Sequence, residues 1–344
     1  MIIAVALSLL GLLLLALGGD SIVKGASGLA RHVGASPFVA GLILVAFGTS
    51  LPELSVNLMA IVSGQQSLAL GNAVGSNVVN FGLTLAVAAC AAPLVVRWRA
   101  LAPLLAMLVF GTLGVLFLGR DGVLSRGEGV LMLLAFVGVL AFALARSRGE
   151  PPEVHAMLAN FTEHSVTATR SAVRFVIGAA FLWLGAVLIV GGGGPHLLGT
   201  GLGELRAVRI GEALGLSPLL TGLLPVAIGT ALPEVAAAVA AARRGQGDLV
   251  AGHVIGASLF NLLVVIGGMA AYNALPLPLT PMALPLVDAE FALPLAYEWL
   301  AALVFTAMLY PMLKGDLRFS RREGAMLLTV FVAWVVFELV MIRG

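Results

Sequence analysis

Residues Gly48–Glu53 read Gly-Thr-Ser-Leu-Pro-Glu, and residues Gly229–Glu234 read Gly-Thr-Ala-Leu-Pro-Glu. A second motif, Gly71–Asn80, recurs as Gly252–Asn261. Both recurrences have the same offset of 181 residues (48 to 229, and 71 to 252). Each copy therefore carries one glutamate directly after a helix-breaking proline, inside a largely apolar segment.

The repeat extends over residues 34–80 and 215–261, where 19 of 47 aligned positions are identical without a gap. A carboxylate inside a membrane costs free energy, so it marks a functional site by default. A carboxylate that occurs twice, in equivalent positions, is typical of a transporter whose two halves surround a central ion site.

The composition indicates an integral membrane protein. Hydrophobic residues make up 60% of the 344 residues, charged residues make up 10%, and the mean hydropathy is +1.08. A soluble domain has about 45–50% apolar and about 25% charged residues. The apolar segments are long enough for membrane helices of about 20 residues and too long for barrel strands. The predicted spans are residues 2–22, 36–62, 67–92, 100–118, 123–146, 171–198, 217–242, 248–273, 293–313 and 323–342.

The basic residues predict the orientation. With the N-terminus outside, 14 of the 19 Lys and Arg residues fall on the inner side, in agreement with the positive-inside rule. Both termini are then outside, and the loop at residues 147–170 is cytoplasmic. That loop separates a first half, residues 1–146, from a second half, residues 171–344. We expect a multi-pass protein of the cell (inner) membrane.

Equivalent spans in the two halves are five apart, so the two copies must point in opposite directions across the bilayer. The predicted fold is all-α, with ten transmembrane helices in two inverted-topology repeats of five. We expect helices 2, 3, 7 and 8 to be broken at the core. Pro52 clashes with the carbonyl group of Gly48 and should release backbone oxygens near Glu53.

The chemistry of these segments suits a hard cation, which prefers carboxylate, carbonyl and hydroxyl oxygens. Ser76 and Asn80 are four residues apart and lie on one helix face. Glu53 and Glu234 together require about two positive charges, which one Ca²⁺, two Na⁺ or two protons would supply. Transition metals would recruit His or Cys, and the repeated motifs offer only His253 for that purpose.

The paired motifs, Gly-Thr-Ser-Leu-Pro-Glu with Gly-Asn-x-x-Gly-Ser-Asn-x-x-Asn and their second copy, resemble the cation/calcium exchanger superfamily, specifically the prokaryotic sodium/calcium exchangers. The resemblance covers the whole chain and implies that Glu53 and Glu234 are central Ca²⁺ ligands. It implies further ligands for Ca²⁺ and Na⁺: the carbonyl groups of Thr49 and Thr230, Asn80 and Asn261 beside the middle site, Ser50 and Ser76 with the Ala46 carbonyl at one flanking Na⁺ site, and the Ala227 carbonyl at the other.

The chain departs from that pattern at Ala231 and Ala257, where the family usually has serine. Ser258 is adjacent, but it lies about 100° away around a regular helix. Two hydroxyl ligands are therefore missing from one flanking Na⁺ site. This leaves open a lower Na⁺ stoichiometry, or a proton or K⁺ as the coupling ion.

We expect a secondary antiporter that exchanges Ca²⁺ for Na⁺ by alternating access, and not an enzyme. A proton- or K⁺-coupled exchanger and a passive cation channel are the alternatives. The glycine run at residues 191–194 lacks the Gly-Lys-Ser/Thr ending of a phosphate loop, so no nucleotide is expected. We expect a monomer in the lipid bilayer, with Ca²⁺ and Na⁺ as partners and neither nucleic acid nor an organic cofactor.

Overall fold

The described part of the chain consists almost entirely of helices. The structure is a computed structural model, and it describes residues 2–32, 50–96, 99, 101–146, 149, 152–153, 156, 167–191, 206–284, 289–294, 296–314 and 318–341. The helices are α1 (Ile2–His32), α2 (Leu51–Val62), α3 (Gln66–Ala91), α4 (Leu101–Leu118), α5 (Arg126–Arg146), α6 (Ala168–Val190), α7 (Pro218–Arg243), α8 (Gly247–Tyr272), α9 (Ala296–Lys314) and α10 (Arg321–Met341). A short helix, Arg206–Ala213, precedes α7.

Eight helices in the described residues are long and apolar enough to cross a membrane, namely α1, α3, α4, α5, α6, α7, α8 and α10. The other two predicted spans contain shorter apolar helices, Leu51–Val62 and Glu298–Leu309. The first part of the second predicted span, including Ala46 and Thr49, lies outside the described residues. The all-helical membrane architecture is therefore confirmed.

Three of the described helices contain π-helical turns. In α3 the π-helical segment is Asn80–Leu85, and in α8 it is Asn261–Ile266, at the same offset of 181 residues as the sequence repeat. The third segment, Gly222–Val226 in α7, contains Pro225. From Ala227 onward α7 is regular through Pro233, so its irregularity lies earlier than the position of that proline suggested. Single π-turns inside α-helices frequently occur at functional sites.

Helices α1 and α6 approach each other closely through glycines spaced seven residues apart. A β-carbon added to Gly11 would lie 2.8 Å from the Gly185 carbonyl oxygen, and one added to Gly178 would lie 2.8 Å from the Gly18 oxygen. Because later residues of α1 contact earlier residues of α6, the two helices are antiparallel. Small residues permit this distance between backbones in the membrane.

Glycines also bring the two halves together beside the π-helical turn of α7. A β-carbon on Gly71 would collide with the Leu219 carbonyl oxygen, and one on Gly75 would collide with that of Leu223. Gly222 makes an equally close approach to the Leu68 carbonyl oxygen. The motif Gly71–Asn80, on α3, therefore packs directly on the start of α7. That part of α7 precedes Glu234.

Six short strands lie between the helices in the described residues, and four of them connect the two halves. They are β1 (Leu94–Val95), β2 (Val123–Leu124), β3 (Leu275–Pro276), β4 (Leu279–Leu284), β5 (Ala289–Pro294) and β6 (Arg318–Phe319). Strand β1 pairs antiparallel with β6, and β2 pairs antiparallel with β3. Each of these pairs joins the first half to the second. Strands β4 and β5 form an antiparallel pair within the second half, in the connection between α8 and α9.

Candidate cation site

Two buried glutamates occupy the centre of the molecule. Glu53 lies in the first turn of α2, directly after Pro52, and is 2% exposed. Glu234 follows Pro233 on α7 and is 7% exposed. The two carboxylates are close enough to repel each other, and Glu53 also lies within hydrogen-bonding reach of the Thr230 hydroxyl group. The structure thus brings the two sequence-repeated carboxylates together.

Several oxygen atoms at this centre have no hydrogen-bond partner within the described residues. They include one carboxylate oxygen of each glutamate, Glu53 Oε2 and Glu234 Oε1. Neutral oxygens of the two repeat motifs share this property: Ser50 Oγ, Ser76 Oγ, Asn77 Oδ1 and Asn261 Oδ1. All four of these neutral residues are at most 2% exposed. A buried polar atom without a partner is costly, so a set of such oxygens is a strong indication of a cation site.

Asn80 connects the two halves. Its Nδ2 donates a hydrogen bond to Ser258 Oγ over 3.2 Å, and both side chains are buried. The two polar ends of an amide point in different directions, so this bond determines where the Asn80 oxygen is aimed. Ser258 was predicted to be a poor replacement for a serine at position 257. The structure gives it a role as the hydrogen-bond acceptor for Asn80.

The Thr230 hydroxyl group has several acceptors around it. It lies 3.1 Å from the Val226 carbonyl oxygen and 3.2 Å from the Ala227 carbonyl oxygen, in addition to its contact with Glu53. The hydroxyl group has one proton, so it can donate a hydrogen bond to only one of these acceptors at a time. The Ala227 carbonyl, which the resemblance implied as a Na⁺ ligand, is therefore already in contact with a hydroxyl group of the same helix.

The positions that depart from the family pattern lie in the core. Ala231 and Ala257 are each 1% exposed, so neither supplies an oxygen and both occupy the interior. The expected ligands Ala46 and Thr49 lie outside the described residues. The second half of the site thus offers fewer side-chain oxygens than the first, as the sequence indicated.

Two polar contacts near the site were not anticipated from the sequence. Asn72 Nδ2 donates to Asn57 Oδ1 over 2.9 Å, which forms a buried amide pair in the first half. In the second half, His253 Nε2 lies 3.4 Å from Glu234 Oε2, and both side chains are less than 10% exposed. The repeat could have suggested this difference, because Asn57 and Asn72 align with Ala238 and His253.

A second pair of buried carboxylates lies outside the repeated motifs. Glu298 on α9 and Glu338 on α10 are 8% and 5% exposed and interact electrostatically. The indole nitrogen of Trp334 and one carboxylate oxygen of each glutamate have no hydrogen-bond partner within the described residues. Little in the sequence indicated that these two glutamates are paired, because neither recurs at the repeat offset or stands next to a proline.

Comparisons with known proteins agree with this fold and centre. The family model described as sodium/calcium exchanger protein matches residues 3–145 and 170–340. The chain belongs to that family of membrane transporters, which confirms the resemblance inferred from the repeated motifs.

Individual relatives match over nearly their full length. CaxA of Alkalimonas amylolytica is 33% identical over 338 residues, which cover 97% of this chain and 98% of CaxA. The sodium/calcium exchanger MaX1 of Methanosarcina acetivorans is 27% identical over 375 residues, covering 95% of this chain and 96% of MaX1. A structure of the sodium-calcium exchanger NCX_Mj soaked with 100 mM Na⁺ and 10 mM Sr²⁺ superposes with a TM-score of 0.64, at 26% identity, covering 97% of this chain and 98% of that one.

Proposed function

We propose that the protein is a secondary antiporter that exchanges Ca²⁺ for Na⁺ at a site centred on Glu53 and Glu234. The observation that carries the proposal is the set of buried oxygens that have no hydrogen-bond donor within the described part of the chain, two of which belong to these carboxylates. Oxygen ligands with this much negative charge suit Ca²⁺ and Na⁺ and disfavour anions. The names of the relatives MaX1 and NCX_Mj support the same pair of ions.

Charge balance explains how the two ions become coupled. Glu53 and Glu234 are neutralised by one Ca²⁺ or by two Na⁺, so the two cargoes compete for the same carboxylates. Each crossing of the membrane therefore carries one cargo or the other. Among the remaining ligands we place the carbonyl groups of Thr49 and Thr230 at the Ca²⁺ site and Asn80 and Asn261 beside it. Ser50, Ser76 and the Ala46 carbonyl form one Na⁺ site, and the Ala227 carbonyl contributes to its weaker counterpart.

Alternating access follows from an inverted repeat of two five-helix units, residues 1–146 and 171–344, joined by the loop at 147–170. Two observations support this arrangement. Helices α3 and α8 have the same sequence of α, π and α segments at one constant offset. Helices α1 and α6 are antiparallel and exchange reciprocal glycine contacts. We place the protein in the inner membrane of the cell. From the distribution of basic residues, we propose that both termini lie outside and that the connecting loop is cytoplasmic.

A specific observation also favours a second coupling ion. Ala231 and Ala257 are buried at the positions where two serine hydroxyl groups would complete the second Na⁺ site. A proton or K⁺ in place of one Na⁺ would need fewer such ligands. This alternative retains the same carboxylate centre and changes only the counter-ion.

Transport of ⁴⁵Ca²⁺ into proteoliposomes tests both possibilities. Gradients of Na⁺, K⁺ or H⁺ are imposed one at a time at a clamped membrane potential. An outward-directed Na⁺ gradient is expected to drive Ca²⁺ accumulation above equilibrium. Accumulation that ignores Na⁺ and responds to H⁺ or K⁺ selects the alternative. Uptake that only dissipates the Ca²⁺ gradient would show a passive channel and refute exchange.

Substitution of each carboxylate tests the site itself. Glu53→Gln and Glu234→Gln keep the side-chain shape and remove one of the two charges that balance Ca²⁺. We expect Ca²⁺ uptake to fall to background in both variants while the proteins remain monodisperse in detergent. Glu298→Gln is a matched control, because it removes a buried carboxylate outside the repeated motifs. Near-normal uptake by either central variant would exclude the proposed site.

A further inference from the structure

We propose that a cavity between the start of α4 and the end of α5 holds the phosphate group of an anionic phospholipid. None of its described lining residues belongs to the cation site, and its occupant is a lipid headgroup and not a transported ion. The observation that carries the proposal is a pair of arginines, from two different parts of the chain, that line this one cavity.

The chemistry of the cavity suits a phosphate group. It has a volume of about 340 Å³, and its described lining residues are Arg99, Ala145, Arg146 and Gly149. Both arginines are exposed, so a ligand can reach them from outside the protein. A guanidinium group stays charged at every physiological pH and binds phosphate through two parallel hydrogen bonds. Two such groups beside one cavity therefore favour a phosphate anion.

Strand β1 gathers further positive charge next to this cavity. Arg99 follows β1 by four residues, and Val95 of β1 pairs with Arg318 of β6. The turn between α7 and α8 also packs on β1, because a β-carbon on Gly247 would collide with the Val95 carbonyl oxygen. Together with the cavity, these contacts bring exposed arginines from four parts of the chain to one end of the molecule: Arg99, Arg146, Arg243, Arg244, Arg318, Arg321 and Arg322.

Acidic side chains offset less than half of this charge. In the described part of the same segments they are Glu153, Asp248 and Glu323. Glu323 already accepts hydrogen bonds from the backbone nitrogen and the hydroxyl group of Ser320, over 2.6 and 2.7 Å. The positive-inside rule accounts for basic residues at this end in general. It does not require α4 and α5 to present arginines to one cavity, which the tertiary structure brings about.

The surface beside the cavity favours a lipid over a free anion. Ala145 lines the cavity and is exposed. Ala141 and Leu134 follow on the same face of α5 and are also exposed, and Leu134 lies 11 residues, or about 16 Å, from Ala145. A phospholipid with its phosphate in the cavity can therefore lay an acyl chain along this apolar face. Basic pockets between membrane helices bind anionic headgroups in this way.

Native mass spectrometry of the purified full-length protein in detergent tests the proposal. Dioleoyl phosphatidylglycerol is compared with dioleoyl phosphatidylcholine, which has the same phosphate but no net charge. We expect the protein to prefer the anionic lipid. Arg99→Gln combined with Arg146→Gln is expected to weaken its binding by about tenfold or more, because two attractions to the headgroup are lost.

The matched control is Arg120→Gln combined with Arg126→Gln. It removes two exposed arginines at the opposite ends of the same two helices, so the change in net charge is identical. Phosphatidylglycerol binding is expected to be unchanged in this control. If the cavity variant does not remain monodisperse, Arg146→Gln at the exposed end of α5 replaces it, with Arg126→Gln as its control.

Three results would overturn the inference. The first is equal phosphatidylglycerol binding by the cavity variant and its control, and the second is equal binding of the two lipids by the unmodified protein. The third is displacement of the bound lipid by an equal concentration of inorganic phosphate at constant ionic strength, which would show a general anion site. Ca²⁺ uptake does not enter these measurements, so their outcome is independent of the proposed exchange.

Discussion

The close packing of α1 against α6 at Gly18 allows a quantitative test. A β-carbon on Gly18 would lie 2.8 Å from the Leu182 backbone nitrogen and 2.9 Å from the Gly178 carbonyl oxygen. Ordinary contact begins at 3.4 Å, so the new carbon is 0.6 Å too close to a backbone atom. A backbone atom cannot rotate away as a side chain can. Gly18→Ala therefore forces the two helices apart.

The expected cost follows from a comparison with a second glycine. Gly138 on α5 has nothing within 4 Å of an added β-carbon. Both substitutions replace glycine with alanine inside a helix and gain the same helix propensity, up to about 1 kcal/mol. The difference between their free energies of unfolding therefore measures the cost of the close packing at Gly18. Overpacking costs about 1–3 kcal/mol. Gly18→Ala is expected to be less stable than Gly138→Ala by that amount.

Thermal unfolding in detergent, followed by size-exclusion chromatography of the remaining monodisperse protein, measures this difference. The Gly18→Ala protein should unfold a few degrees below the Gly138→Ala protein, because each kcal/mol shifts the midpoint by a few degrees. Equal midpoints for the two variants would mean that α1 and α6 are not packed at the distance described.

Two further predictions concern the centre of the molecule. Ser258→Ala removes the acceptor of the Asn80 amide, and a buried donor without a partner costs about 1–3 kcal/mol. Equilibrium ⁴⁵Ca²⁺ binding is expected to weaken about 5- to 150-fold as the amide reorients. An unchanged affinity would show that the orientation of Asn80 is unimportant. Ala231→Ser combined with Ala257→Ser supplies the two missing hydroxyl groups. We expect a change in the Na⁺ concentration that half-maximally drives ⁴⁵Ca²⁺ uptake, or in the number of Na⁺ ions exchanged per Ca²⁺. Identical Na⁺ dependence would contradict the missing-ligand explanation.

The repeat allowed much of the site to be predicted from sequence. Its constant offset identified Glu53 and Glu234 as partners, and the structure places their carboxylates within electrostatic reach of each other. The same offset recurs in the π-helical turns that begin at Asn80 and Asn261. Their type was not predicted, because proline rules indicate where a helix is disturbed and not how its hydrogen bonds rearrange.

The contacts that escaped prediction join residues from different elements. Ser258 was judged by its angle on its own helix, whereas its partner, Asn80, comes from the other half of the chain. The contact of His253 with Glu234 also joins two helices, and sequence spacing does not show it. Two-residue strands such as β1 and β3 have no periodicity to detect, so their pairing required the tertiary structure.

The strand pair β1–β6, which joins the two halves, also determines when the structure can be completed during synthesis. Strand β1 leaves the ribosome with the first half, but its partner β6 lies immediately before the final helix. Until β6 follows, β1 remains an unpaired edge, which is a hazard for incorrect association. The first half is therefore an unfinished intermediate, and a chain that stops before Phe319 lacks the strand that would cover it.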